Sequence, residues 1–179
     1  MQTEPGDLIL VKSTEAIFAF GRWLGGNPYD HVAVVVDGGQ TINIDKPMIR
    51  SLPVARLLRP ELQPLVLRPT FQSAQQRAAF VGWIQSLAAR SYDTARTLGL
   101  VGRLLLRRAL HWAPPMEPPR PEQERWICTD AVLLGLETHA AGFSDIQSLP
   151  LDWVRLRCGT TNDLLYIARV RPDLLAAVA

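Results

Sequence analysis

A histidine opens one apolar run of this chain and a cysteine opens another, far apart and in that order. His31 leads Asp30-His31-Val32-Ala33-Val34-Val35-Val36, whose β-branched residues read as a strand. Cys128 stands in Arg125-Trp126-Ile127-Cys128-Thr129-Asp130-Ala131-Val132, where a proline-rich approach gives way to an apolar helix. A thiolate at a helix N-terminus is stabilised by the positive end of the macrodipole. An imidazole beside it can take the thiol proton and later return it to a leaving group. That pairing is the chemistry of a cysteine hydrolase.

A third residue is needed to aim the imidazole. Thr41, Asn43 and Asp45 alternate with Ile42 and Ile44, so the three polar side chains share one face of a strand. Whether that face is the face of His31 depends on the turn. A two-residue Gly38-Gly39 loop sends Asn43 to the opposite side, whereas a three-residue Asp37-Gly38-Gly39 loop sets Asp45 opposite His31 and Asn43 diagonal to it. Such a residue accepts from one ring nitrogen and points the other at sulfur. Asn43 is the first candidate and Asp45 the second. Tyr29 and Tyr92 are candidates for lining the site or helping to hold an oxyanion.

The elements that must position these groups follow from pattern and breakers. Asp7 to Val11 reads as a buried strand, and Ser13 or Thr14 can cap a helix through Leu24 with Ile17, Phe18 and Phe20 in apolar contact. A hairpin runs from His31 to Asp45, then Pro47, Pro53, Pro60, Pro64 and Pro69 leave room for short strands such as Leu65 to Leu67. Phe71 to Arg90 and Thr94 to Trp112 read as helices. The second carries Arg96, Arg103 and Arg107 on one side and Val101, Leu105 and Ala109 roughly opposite. Five prolines between Ala113 and Pro121 force an irregular connection, the Cys128 helix follows, and Leu164 to Val170 reads as a last strand. The class is α+β.

At 179 residues the chain can bury one good core. A net charge of +2, with no basic run, gives no reason to invoke nucleic acid. The arginine side of the Thr94–Trp112 helix reads as a solvated face, or as a weak contact for an anionic polymer or membrane surface. Two cysteines make no disulfide framework, and no Cys/His spacing suggests a metal. Cys158, after Arg155-Leu156-Arg157, has no helix start beside it and reads as structural. The N-terminus lacks the basic and apolar regions of a signal peptide, and no stretch is long and apolar enough to span a bilayer, which places synthesis in the cytoplasm. Action outside the cell then requires lysis, a secretion machine or a phage tail. His139 lies three turns, or about 16 Å, from Cys128 along one helix and cannot be its base. His111 sits beside the proline-rich connection.

The run Gly6-Asp7-Leu8-Ile9-Leu10, the strand from His31, a polar residue twelve positions later, Tyr92-Asp93 and Trp126-Ile127-Cys128-Thr129-Asp130 together resemble the circularly permuted papain-like enzymes. These are relatives of the NlpC-type cell-wall peptidases and include the YiiX-like proteins and the lecithin:retinol acyltransferase group. The resemblance runs from residue 6 to about residue 155, and the order of histidine before cysteine is its most specific part. It implies a small antiparallel sheet packed against helices in one domain over residues 1–179. It also implies Cys128 as nucleophile, His31 as base and the residue at position 43 as orienter. Members often carry Glu or His there, where this chain has Asn43, and Thr129-Asp130 departs mildly from the usual residues after the cysteine.

The reaction expected is acyl transfer through a thioester on Cys128, with its backbone N–H helping to stabilise the oxyanion and no metal or organic cofactor required. Asp130, about 200° further round the helix, points away from the sulfur. The resemblance favours a peptidase or amidase acting on peptidoglycan-type peptide bonds. A lipid acyl hydrolase or acyltransferase is the alternative, and a non-catalytic papain-like module in a larger assembly such as a phage tail is the third. With iodoacetamide near neutral pH, Cys128 should alkylate much faster than Cys158, and His31→Ala should slow that reaction. Equal rates for the two thiols would make Cys128 a core residue.

Overall fold

The computed structural model describes residues 2–13 and 16–178, the side chains of residues 16–18 excepted. Its strands are β1 (Leu8–Val11), β2 (His31–Val36), β3 (Gln40–Ile44), β4 (Ile49–Pro53), β5 (Leu65–Pro69), β6 (Ser91–Tyr92), β7 (Arg125–Trp126) and β8 (Leu175–Ala177). Its α-helices are α1 (Ala16–Gly25), α2 (Val54–Leu57), α3 (Ala74–Ser86), α4 (Thr94–Leu110), α5 (Cys128–His139), α6 (Asp152–Leu156) and α7 (Thr161–Val170). Six strands form one antiparallel sheet in the order β4-β3-β2-β1-β5-β8, and β6 pairs with β7 in parallel.

Strand alternation divides the apolar residues of the sheet between two cores. Leu8, Leu10, Val32, Val34, Ile42 and Ile44 cluster with Phe80 and Ile84 of α3 and with Ala131 and Val132 of α5. On the other face Ile9, Val11, Ala33, Val35 and Val66 cluster with Val54 and Leu57 of the short α2. Burying each such side chain stabilises the fold by about 1.5–3 kcal/mol. The Gly6-Asp7 pair sets the entry to β1. Gly6, at φ +95°, donates to Val35 O, while the buried Asp7 carboxylate takes two hydrogen bonds from Arg68 of β5, each 2.8 Å. Few side chains but glycine adopt that φ.

Several expected elements shift. The helix expected from Phe71 begins at Ala74, because Ser73 Oγ accepts from Gln76 N and caps it. The segment Leu164–Val170 is helical and not a strand. Thr160 and Asp163 form a reciprocal capping box at its start, and Leu164 and Ile167 are buried three residues apart on one face. The strand follows it, as β8. Another strand, β4, fits among the prolines because Pro53 falls on its last residue at the sheet edge. The approach to α1, where Ser13 or Thr14 would cap it, runs outside the described residues; Ser13 N–H donates to Asp30 Oδ1. Thr14 and the side chains of Ile17 and Phe18 lie outside the described residues, and Phe20 is exposed, stacked on Trp23.

The arginine side of α4 also needs correcting. Arg96 and Arg107 form ion pairs with Asp130 and Asp152, and Arg103 donates to Pro114 O and Gly99 O. These arginines turn onto the protein and hold the proline-rich connection and α5 against α4. Leu104 is the buried apolar residue of α4, whereas Leu105 is exposed. No helix among the described residues is long and apolar enough to cross a membrane.

Close packing of α3 on α5 holds the helix that carries Cys128. Trp83 donates from Nε1 to Ala131 O and meets Trp126 edge-on, with its ring over Gly135. A Cβ at Gly135 would lie 2.5 Å from Trp83 Cδ1 and 3.0 Å from Phe80 Cε2. Gly135→Ala should therefore lower the urea midpoint, at a cost of about 1–3 kcal/mol for overpacking. Gly82→Ala, with nothing within 4 Å, should hold or raise it. A neutral Gly135→Ala would show that this packing does not set the place of α5.

Candidate active site

Hairpin geometry brings His31 and Asn43 together. Asp37–Gly39 forms the three-residue loop, with Gly38 and Gly39 at φ +70° and +69°, and the register pairs Ala33 with Asn43. Two more residues of that register set Asp45 opposite His31 and leave Asn43 on the diagonal. Asn43 is buried, and its Oδ1 lies 2.6 Å from His31 Nε2. An amide oxygen only accepts, so Nε2 carries the proton of that hydrogen bond and Nδ1 is the nitrogen left for the thiol.

Cys128 arrives from the other direction. Tyr92 of β6 pairs with Trp126 of β7, and Asp93 N donates to Trp126 O at 3.0 Å. Asp93 also caps α4 through Arg96 N. The starts of α4 and α5 are thus tied together, with Tyr92 beside the cysteine. Ile127 is the extended residue before α5, so the N–H groups of Cys128, Thr129 and Asp130 occupy its first turn, where no intrahelical acceptor exists. Cys128 is buried and stands near enough to His31 to raise the pKa of its imidazole. Both cysteines are free thiols.

Electrostatics favours a charged imidazole. Burial works against the charge on His31, but the influence of Cys128, the Asp45 carboxylate and Asn43 Oδ1 outweighs it and pushes the pKa up to about 9. Tyr92 is raised above the ordinary phenol range by burial and then by the charge of Cys128, and Thr97 Oγ1 donates to its hydroxyl at 3.0 Å. Tyr29 is held by its backbone, which accepts from Thr161 Oγ1 at 2.7 Å. Both tyrosines line the cavity that Cys128 opens into. Asp45 is half-buried, with Oδ1 accepting from Lys46 N.

Residues not expected to matter hold Cys128 in place. Thr129 Oγ1 donates to Gly159 O and Gly159 N donates to Asp130 Oδ1, each at 2.6 Å, so the backbone of Gly159 is gripped on both sides of its Cα by the two residues after Cys128. A Cβ at Gly159 would sit 2.5 Å from Leu133 Cδ1. Asp130 is fully buried; burial raises its pKa to about 6 against the opposing pull of Arg96 and the Gly159 N–H. Cys158 stands near the same carboxylate, pushed up by burial and then by Asp130, and serves the core. Asp30, directly before His31, pairs with Arg22 at 2.7 Å and accepts from Ser13 N. His139 ends α5 and His111 is exposed after α4, both away from this cluster in the chain's elements. No sequence signal separated Asp30 or Gly159 from ordinary loop residues; Thr129-Asp130 was visible only as a departure from the usual residues.

Two cavities flank the pair. One, of about 150 Å³, lies between α1 and α4 and is lined by Cys128, Ile127, Tyr29, Leu98, Val101 and Leu104 among others. Asn27 Oδ1 and Asp30 Oδ2, from two of its lining residues, are buried without a hydrogen-bond partner among the described residues. The other, of about 240 Å³, is lined by His31, Asn43, Asp45, Arg50, Arg56 and Arg59 among others and not by Cys128.

Comparison with family models and with curated proteins finds no match to this chain. Among solved structures the chain is similar to the crystal structure of the metalloprotein YiiX from Escherichia coli O157:H7, with a TM-score of 0.64 and 13% identity, over 100% of this chain and 98% of that one. At that identity the likeness concerns the fold, which is the permuted papain-like α+β arrangement with an antiparallel sheet against helices. Among the described residues of this chain, no three His, Cys, Asp or Glu side chains are grouped so as to hold a metal ion.

Activity should hold on the basic side until about pH 9 and fall as the imidazolium loses its proton. Asn43→Ala removes an acceptor that supports that charge, so it should move the basic limb of kcat/KM to lower pH and cut turnover about 10- to 100-fold. Asp45→Asn should cost much less. The reverse pattern, a collapse for Asp45→Asn beside a near-normal Asn43→Ala, would make Asp45 the orienting residue.

Proposed function

We propose that the chain is a thiol hydrolase that works through an acyl-enzyme on Cys128. The observation that carries this reading is the imidazole of His31, 2.6 Å from Asn43 Oδ1 and raised in pKa by the neighbouring Cys128. The thiolate attacks a carbonyl carbon, forming a C–S bond while the oxygen takes up charge beside the free N–H groups at the start of α5. His31 gives its proton to the departing heteroatom, and water, activated by the same imidazole, then releases the acid and restores the thiol. Asn43 holds the ring in the tautomer that this sequence of transfers requires.

The acyl side of the site favours a compact apolar group. The cavity next to Cys128 is walled on one side by Leu98, Val101, Leu104 and Ile127, and a volume of about 150 Å³ has room for a group of the size of benzene. That wall supports the lipid-like or simple acyl substrate over the peptidoglycan peptide that the sequence resemblance favours. The peptide reading keeps one observation of its own, since Asn27 Oδ1 and Asp30 Oδ2, unpaired among the described residues, call for N–H donors. The direct test is incubation with short acyl thioesters, phospholipid vesicles and purified peptidoglycan, with products and the Cys128 adduct identified by mass spectrometry.

Wild-type protein should accumulate an acyl adduct on Cys128 and turn over at least one of these substrates. His31→Ala should lower turnover about 10²- to 10⁴-fold, the scale of a general base, and Cys128→Ala should abolish the adduct. Turnover undiminished in Cys128→Ala would end the thiol mechanism, and no adduct or turnover on any substrate would leave a non-catalytic module.

A further inference from the structure

We propose that the cavity on the His31 side is a subsite for an anionic leaving group, a phosphate, sulfonate or carboxylate, held by Arg50 and Arg56 with Arg59. This assignment rests on the thiol hydrolase reading for its direction. A leaving group takes its proton from His31 Nδ1, the nitrogen left for the thiol, so the rest of that group extends past the ring on the imidazole side. Of the two cavities, the one lined by Cys128 but not His31 is the acyl side, and the one lined by His31 but not Cys128 is the leaving-group side. Asp30 and Tyr92 line both, so the two are adjacent across the reacting atoms.

Charge separates the two sides. Arg50 lies directly across from Asn43 in the β3–β4 register, which puts both on the same face of the sheet. Arg56 ends α2, the helix that covers that face, and Arg59 follows it, with Nε on Arg56 O at 3.1 Å and 3.4 Å from Glu61. Neither Arg50 nor Arg56 enters a salt bridge among the described residues. The opposing charges that line the cavity are Asp45 and Asp30, and Asp30 is already neutralised by Arg22. The guanidinium groups of Arg50 and Arg56, with no carboxylate partner among the described residues, and that of Arg59 line a cavity of about 240 Å³ and suit an oxyanion that accepts several hydrogen bonds at once. A substrate that fits both sides joins a compact apolar acyl group to an alcohol, thiol or amine bearing an anion. Sulfur attack forms the acyl–sulfur bond and breaks the bond to that heteroatom, which leaves protonated by His31, and water afterwards completes hydrolysis.

The test compares an anionic probe with a neutral one of the same chain. At fixed ionic strength, calorimetric titration of the wild-type protein should show sodium hexanesulfonate binding about 10-fold or more tightly than hexanol. Arg50→Ala/Arg56→Ala should abolish that difference, as should Arg50→Gln/Arg56→Gln, which keeps the first three carbons and a polar end without the charge if alanine disturbs the fold. In turnover, the S-butanoyl thioester of 2-mercaptoethanesulfonate should exceed that of N-acetylcysteamine in kcat/KM by about the same factor, and the double variant should bring the ratio to about one. Equal affinities in the wild type, no binding of either probe, or a sulfonate preference that survives loss of both arginines would overturn the subsite. A sulfonate preference that depends on the arginines, without turnover of any acyl compound, would leave the anion site standing and remove the hydrolase reading instead.

Discussion

The candidate site depends on a buried ion pair that never touches the reacting atoms. Asp130, with no exposed surface, accepts from Arg96 and from Gly159 N, while Arg96 also donates to Glu117 O and Arg157 O at 2.7 Å each. One guanidinium therefore joins α4, the proline-rich connection, the end of α6 and the first turn of α5. Its energetic worth as a pair is small once desolvation is counted, because removing two charges from water costs several kcal/mol per ion. What it contributes is uniqueness of position. A carboxylate in the first turn of α5 that had lost this partner would be buried and uncompensated, so arrangements that misplace the helix are strongly disfavoured. Cys128 stands two residues before that anchor.

The sheet imposes the complementary constraint on His31. Both faces of β2 are buried, by α3 and α5 on one and by α2 on the other, so a slip of one residue would exchange two complete apolar sets. Register is thereby fixed along the strand, and the strand delivers His31 at its very start, where β1 and β3 both end nearby. The imidazole stands at the edge of the core, near enough to Cys128 to feel it strongly and open enough to face the cavity it shares with Asn43. Opposite demands on one ring are met by placing it at the end of an element and not in its middle.

Much of this was legible in the chain because it rests on local rules. Turn parity at Asp37-Gly38-Gly39 put Asn43 on the face of His31, and the shift from prolines to an apolar run located the start of α5. The failures came where tertiary partners override pattern. Leu164 to Val170 is rich in residues that suit a strand, and only the Thr160/Asp163 capping box, a signal of two residues, marks it as helix. Arginines at helical spacing on α4 looked like a solvated face because their acceptors, Asp130, Asp152 and Pro114 O, lie far away in sequence. Gly159 was invisible for the same reason: its function is set by Thr129, Asp130 and Leu133, which no local pattern connects to it.

The choice of an amide at position 43 is consistent with the rest of the electrostatics. The imidazole is already held charged by the neighbouring thiol group, with Asp45 adding a weaker field from the strand end. A carboxylate in hydrogen-bond contact at position 43 would stabilise the imidazolium further and hold back the proton that the leaving group must receive. Asn43 Oδ1 instead fixes the ring by direction, with a partial charge only. The burden of charge then falls on groups around the site that do not grip the ring. Those groups are unevenly distributed, with leucines and a valine beside the sulfur and arginines beside the imidazole. A substrate whose polarity changes sharply across its scissile bond matches that asymmetry, and one that is uniformly polar or uniformly apolar meets the wrong surface on one side.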